Sequence, residues 1–145
     1  MILIAHRGNI YGQNRDLENK PKYINQALKL GYDVEIDVWF INGKFFLGHD
    51  SPDYSVDISF LKNKNLWCHA KNIKALREMI KVEDIHCFYH NTDDVTLTSK
   101  NFLWTYPGRQ LTDMSVCVDI NRTTLENIDD ETYFGLCSDY VGYIK

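Results

Sequence analysis

In this 145-residue chain, four short apolar runs carry or end in ionisable side chains. His6-Arg7-Gly8 closes the first, Glu35-x-Asp37 lies within the second, His49-Asp50 closes the third and His69-x-Lys71 closes the fourth. Successive side chains of an extended strand point to opposite faces, so Glu35, Asp37 and Trp39 share one face while Val34, Ile36 and Val38 share the other. Two carboxylates roughly 7 Å apart at their Cα atoms repel each other in a low-dielectric interior unless a cation or a proton compensates them. A divalent metal ion is the simplest compensation. Such an ion, with Arg7 or Lys71 beside it, would neutralise a phosphodiester and the further charge that builds in its transition state. His6 and His49 then suit proton transfer to and from the attacking and leaving oxygens, because imidazole titrates near neutral pH. The residue types fit general acid/base cleavage of a phosphodiester.

These side chains need strands to hold them. Eight β-rich apolar runs recur, at 2–6, 34–39, 45–49, 66–71, 85–90, 102–106, 116–120 and 135–141. Several are apolar at nearly every position, the pattern of strands covered on both faces, as in a parallel sheet. Residues 19–30 place Tyr23, Ile24, Ala27, Leu28 and Leu30 at helical spacing, and Gly31 is placed to end the helix. Asn72 can cap a second helix with the apolar face Ile73, Leu76, Met79 and Ile80. Asn42-Gly43 between two extended segments signals a hairpin, so the second and third runs are antiparallel there or merely tightly linked. Later connections are short, and clusters such as 91–98 leave room for helices of one or two turns or none. Strands alternating with helices suggest an open doubly wound sheet or a closed barrel. Eight parallel strands favour a compact (β/α)8 TIM-like barrel spanning 1–145 as one domain, with helices shortened or missing in its second half. Such barrels usually need about 250 residues.

Composition narrows the partners. A quarter of the residues are charged, 44% are hydrophobic and the formal net charge is -4. No basic stripe is present to neutralise a nucleic-acid backbone, so nucleic acid is not an expected partner. No run approaches transmembrane length, and the apolar stretch before His6 is too short for a signal peptide, so a cytoplasmic location is expected. Cys68, Cys87, Cys117 and Cys137 are widely spaced inside apolar runs, with no metal-finger spacing, and read as reduced core thiols.

The order "AHRGN", "LEN" and "VEIDVWFINGKFFLGHD" resembles the signature of the glycerophosphodiester phosphodiesterase family. The resemblance implies a (β/α)8 barrel with His6 and His49 as the acid/base pair and Arg7 as a phosphate contact. It also implies Glu35 and Asp37 as metal ligands and Glu18 as a support on the substrate side. Where the family usually carries E-x-K, this chain has His69-x-Lys71. Lys71 is then the phosphate-binding lysine, and His69 is either a third ligand or a hydrogen-bond partner of substrate or of a ligand carboxylate. Among Mg, Ca, Mn and Zn, an imidazole ligand tilts the site toward Mn or Zn. "VCVDIN" and "GLCSDYVG" are similar, more weakly, to the family's seventh and eighth strands, while 51–65 and 91–115 are short for its usual helices.

The expected substrate is a small-molecule phosphodiester, hydrolysed from a glycerophosphodiester to an alcohol and glycerol phosphate. One alternative is a lyase that releases a cyclic phosphate from a lysophospholipid-like diester. The other is a catalytically degenerate barrel that binds a phosphorylated ligand or a protein. A second subunit could cover strand faces left bare by missing helices, which would make a homo-oligomer. His90 is a candidate substrate contact, and Trp39, Trp104, Tyr106 and Tyr140 are candidate pocket walls. His86 lies at the wrong end of its strand for chemistry, and Asp119 and Asp139 remain open between core contact and substrate group.

Overall fold

The computed structural model describes residues 1–120 and 133–144. In chain order its elements are β1 (Ile2–His6), α1 (Pro21–Lys29), β2 (Asp33–Ile41), β3 (Lys44–Leu47), β4 (Tyr54–Val56), α2 (Ile58–Leu61), β5 (Leu66–Ala70), α3 (Ile73–Ile80), β6 (Cys87–Phe88), β7 (Val95–Leu97), β8 (Leu103–Thr105), β9 (Ser115–Val118) and β10 (Gly135–Ser138), followed by a 3-10 turn at Val141–Tyr143. The fold is α/β, a curled, open sheet in a compact and incomplete TIM-like arrangement. Seven strands run parallel in the order β6-β5-β2-β1-β10-β9-β8. Among the described residues no α-helix follows Ile80, in keeping with helices lost from the second half.

Each of the eight apolar runs contains a strand, but they are not eight parallel ones. The third run turns back as β3, antiparallel to β2 with Val38 opposite Leu47 and Ile41 opposite Lys44. Asn42 (φ 50°) and Gly43 (φ 78°) both adopt positive φ, the backbone of a tight hairpin turn whose twist matches the strands it joins. β4 extends this hairpin and β7 pairs antiparallel with β8. These three-residue strands lie in polar stretches, which hid them in the sequence.

Alternation along the parallel strands makes two cores. Outward-facing Val34, Ile36, Val38, Leu66, Cys68 and Ala70 pack with Ile24 and Ala27 of α1 and Ala75 and Met79 of α3. Inward-facing Ile4, Trp67, Phe88, Trp104, Val116, Val118 and Cys137 fill the curl. Trp67 contacts the rings of His86, Phe102 and Trp104, with centroids 4.1, 5.5 and 5.8 Å away. Between β6 and β8, Ser99 bridges the seam, its N–H donating to Cys87 O at 2.8 Å and its Oγ accepting from Cys87 N at 2.9 Å. His86 is buried at the floor of this interior, bonded to Thr98 Oγ1 at 2.7 Å, and burial pushes it down to about 4. It directly precedes β6, at the amino end of that strand and the wrong end for chemistry, as expected. All four cysteines are free and buried.

Both expected helices form, with adjusted faces. Gly31 (φ 92°) follows the last turn of α1, where Tyr32 N bonds Ala27 O and Gly31 N bonds Leu28 O, the paired closure that favours glycine. Leu30 falls outside the buried stripe of α1, and Ile73 and Ile80 point away from the sheet on α3. The stripe of α3 is centred on Ala75 and Met79, four residues apart, so the isoleucines sit on its far side. Asn72 caps α3 by accepting from Ala75 N at 2.9 Å, and its side chain also meets Phe40 N and O at 3.3 and 3.1 Å. One side chain thus fastens the helix start to β2. Replacing it loses a cap and a two-point tether, so Asn72→Ala is expected to destabilise the chain by about 1–3 kcal/mol, read from the midpoint of urea unfolding.

Candidate functional site

The carboxylates of β2 project inward above the aromatic layer. Glu35 and Asp37 are buried, and Asp37 has no exposed surface. Asn19 meets Asp37 twice, its Nδ2 donating to Oδ2 at 2.9 Å and its Oδ1 accepting the Asp37 N–H at 2.9 Å. That pairing explains why α1 begins at Pro21 and not at Asn19. Asn19 takes a left-handed backbone (φ 61°) and serves β2, while no side chain caps the helix.

Arg7 also has positive φ (54°), and its N–H donates to Glu35 O at 2.9 Å. Non-glycine residues in this region cost energy and persist where surrounding contacts hold them. The guanidinium lies between two acids, with Nε 2.9 Å from Asp37 Oδ2 and Nη1 3.2 Å from Glu18 Oε2. The Arg7–Asp37 contact is an ion pair without hydrogen-bond alignment. Glu18 also accepts from Asn9 Nδ2 at 2.9 Å, so it braces Arg7 against the buried Asn9.

His6 is buried at the end of β1. Its Nδ1–H donates to Asp139 Oδ1 at 2.8 Å, leaving Nε2 3.9 Å from Glu35 Oε2. Burial lowers the His6 pKa, but the Asp139 bond and Glu35 outweigh it and the net shift is upward. Asn9 donates to the same Asp139 oxygen at 2.8 Å. His49 is exposed, with Nδ1 2.7 Å from Asp50 Oδ1. Its loop is pinned by Trp39, whose indole N–H donates to Gly48 O at 2.6 Å. Gly48 has φ 150°, and a Cβ there would lie 2.0 Å from Ser51 O, so this bend requires glycine.

His69 faces both carboxylates. Its Nδ1 is 3.3 Å from Asp37 Oδ1 and 3.7 Å from Glu35 Oε1, and Lys71 Nζ is 3.6 Å from Asp37 Oδ1. Burial lowers the imidazole pKa, yet Asp37 and Glu35 raise it to about 9. In turn burial raises Asp37, but His69, Arg7 and Lys71 hold it far below the ordinary carboxylate range. Lys71 follows β5, its N–H donating to Val38 O at 2.8 Å.

A cavity of about 290 Å³ is lined by His6, Arg7, Glu35, His49, His69 and Lys71, with His90, Trp104 and Tyr106 on its other walls. Asp37 lies behind this lining. Glu18 lines an adjoining polar cavity of about 470 Å³ that shares Arg7 and His49. Of the aromatic candidates, Trp104 and Tyr106 reach the first cavity, while Trp39 is committed to Gly48 and Tyr140 rests near Tyr143. Asp139 is the partner of His6, and Asp119 is buried with its N–H bonded to Cys137 O. Asn9 and Asn19 were not anticipated. The N of the "LEN" motif is Asn19 itself, the one signal that pointed to it.

Glu35, Asp37 and His69 fit a divalent ion. One ligand atom from each lies within 4.8 Å of the others. Glu35 Oε2 and Asp37 Oδ1 are buried without a hydrogen-bond partner, as ligand oxygens would be before an ion is added. Two carboxylates and one imidazole suit a borderline or hard divalent cation.

Because its folded pKa is raised above 6.5, His69 contributes stability that is complete below about pH 6.5 and is lost as pH rises through about 9. The metal-free protein is therefore expected to lose up to about 3 kcal/mol across that window, and His69→Gln to flatten the loss. Urea unfolding at a series of pH values measures both. Equal slopes in the two proteins would contradict this assignment.

No protein-family model, no curated protein and no solved structure matches this chain. The curled, open α/β sheet is consistent with a phosphoesterase-like fold in general, and the resemblance to glycerophosphodiester phosphodiesterases rests on the sequence motifs.

Proposed function

We propose that this chain is a metal-dependent phosphodiester hydrolase. The observation that carries the reading is the pair of buried oxygens without a hydrogen-bond partner on Glu35 and Asp37, set beside His69 at a cavity that is also lined by two cations and three further histidines. Glu35, Asp37 and His69 would hold the ion, which supplies Lewis-acid stabilisation of charge on the phosphoryl oxygens. Arg7, braced by Glu18, and Lys71 bind the phosphodiester and orient it in the cavity.

His6 and His49 are the proton-transfer pair. The Asp139 bond fixes the His6 tautomer, so Nε2 is the nitrogen available to an oxygen of the substrate. His49, at the exposed side of the same cavity, has Nδ1 turned to Asp50 and Nε2 left for the second oxygen. One imidazole takes the proton of the attacking hydroxyl or water, and the other returns a proton to the leaving alcohol. The motif order supports a small glycerophosphodiester as the substrate, cleaved to an alcohol and glycerol phosphate.

Release of choline from glycerophosphocholine, with and without chelator, tests the reading. His6→Ala and His49→Ala are each expected to lower kcat/KM by about 100- to 10,000-fold, and chelation to abolish turnover. Full activity in the double variant would overturn the proposal. Phosphorus NMR of the product reads the endpoint, with glycerol phosphate expected and a stable cyclic phosphate assigning a lyase instead.

A further inference from the structure

His90 and Tyr106 take no part in the chemistry above, yet they are joined to the one ligand that departs from the family pattern. His69 is the cross-strand partner of Phe88, and His90 lies two residues further along the same chain. The His69 ring fits the notch between them, 4.3 Å from His90 and 5.2 Å from Phe88, with interplanar angles of 7° and 2°. His69 Nε2 lies 3.5 Å from His90 O, while Nδ1 points to the carboxylates. His90 is itself held, because the Tyr106 hydroxyl is 2.9 Å from its Nε2 and the two rings meet edge to face.

An imidazole can ligate through either nitrogen, and the proton must then sit on the other one. A flat wall along the His69 ring and an acceptor at its rear nitrogen both favour one outcome, with Nδ1 forward and Nε2–H behind. Outer partners of this kind set ligand orientation and tautomer. A nitrogen ligand matters to some cations more than others. Mg2+ binds through oxygens and gains little from imidazole, whereas Mn2+ and the later divalent ions gain more.

We propose that His90, locked by Tyr106, is the positioning residue that presents His69 Nδ1 as a nitrogen ligand and so gives the site a preference for Mn2+ over Mg2+. The proposal rests on the metal-binding reading above. It adds a function for a residue pair that the hydrolytic mechanism leaves idle, and it concerns selectivity, which packing alone would not alter.

Calorimetric titration of the full chain with Mn2+ and separately with Mg2+ tests it without any substrate. Wild type is expected to bind Mn2+ more tightly. His90→Ala should weaken Mn2+ by roughly tenfold or more while leaving Mg2+ within about threefold, so that the selectivity ratio falls. His90→Phe restores a flat wall and should recover most of the ratio. Tyr106→Phe, which removes one oxygen and keeps the packing, should lower the ratio in the same direction by a smaller factor, and it carries the test if His90→Ala does not fold. An equal loss for both ions in His90→Ala, or an unchanged ratio in both the His90→Ala and Tyr106→Phe variants, would overturn the proposal. Asp37→Asn separates it from its premise. If that variant binds Mn2+ as wild type does, the ion is not held here and the metal-binding reading itself fails. If Asp37→Asn abolishes binding and the His90 and Tyr106 variants change nothing, only the role of His90 is lost.

Discussion

Glu35 and Asp37 project from one face of β2 into a space where neither reaches bulk water, and their mutual repulsion has to be met from the surrounding chain. Arg7 comes from just after β1, His69 from β5 and Lys71 from just after it, and Asn19 from the loop before α1. They arrive by three routes, and Arg7 and Asn19 do so through a left-handed backbone that an ordinary loop would avoid. Glu18 then steadies Arg7, Asn9 steadies Glu18, and Asp139 joins Asn9 to His6. The polar upper layer of the curl is thus one connected network built outward from two carboxylates. Removing a member leaves its neighbours buried and unpaired, the costly outcome in a low-dielectric setting.

Beneath that layer the solution is apolar. A parallel barrel usually closes with eight strands, and among the described residues the parallel path has seven, with a seam between β6 and β8. Trp67, Phe88 and Trp104 occupy the middle of the curl, with Phe88 and Trp104 4.7 Å apart across the seam. Large rings fill the width between the strands that face each other across the seam. The polar cluster therefore rests on an apolar floor.

Much of this was legible in the sequence because it depends on short-range periodicity. The i, i+2 alternation of Glu35 and Asp37 against Val34, Ile36 and Val38 fixes which side chains face inward. Asn42-Gly43 specifies a hairpin by its backbone demands, although only the register shows that this hairpin removes the third run from the parallel path. Contacts made by folding across long separations were less accessible. Nothing local distinguishes Asp139 from Asp119 until β10 is laid beside β1, which puts one of them against His6. Asn19 looked like part of a helix because its preference for helix starts is real, but Asp37 offered it two hydrogen bonds. Ile73 and Ile80 looked buried because apolar spacing on a short helix suits more than one face.

The separation of His6 from Asp139, 133 positions along the chain, bears on when the site comes into being. The pieces around Glu35, Asp37, His69 and Lys71 all lie within β2, β5 and the residue that follows β5, so the charge cluster can assemble from the first half of the chain. The imidazole at the end of β1 gains its orienting carboxylate only after β10 has docked beside it. Assembly of the sheet is therefore also the event that arms this histidine. A chain in which β10 has not docked lacks the Asp139 carboxylate that orients His6.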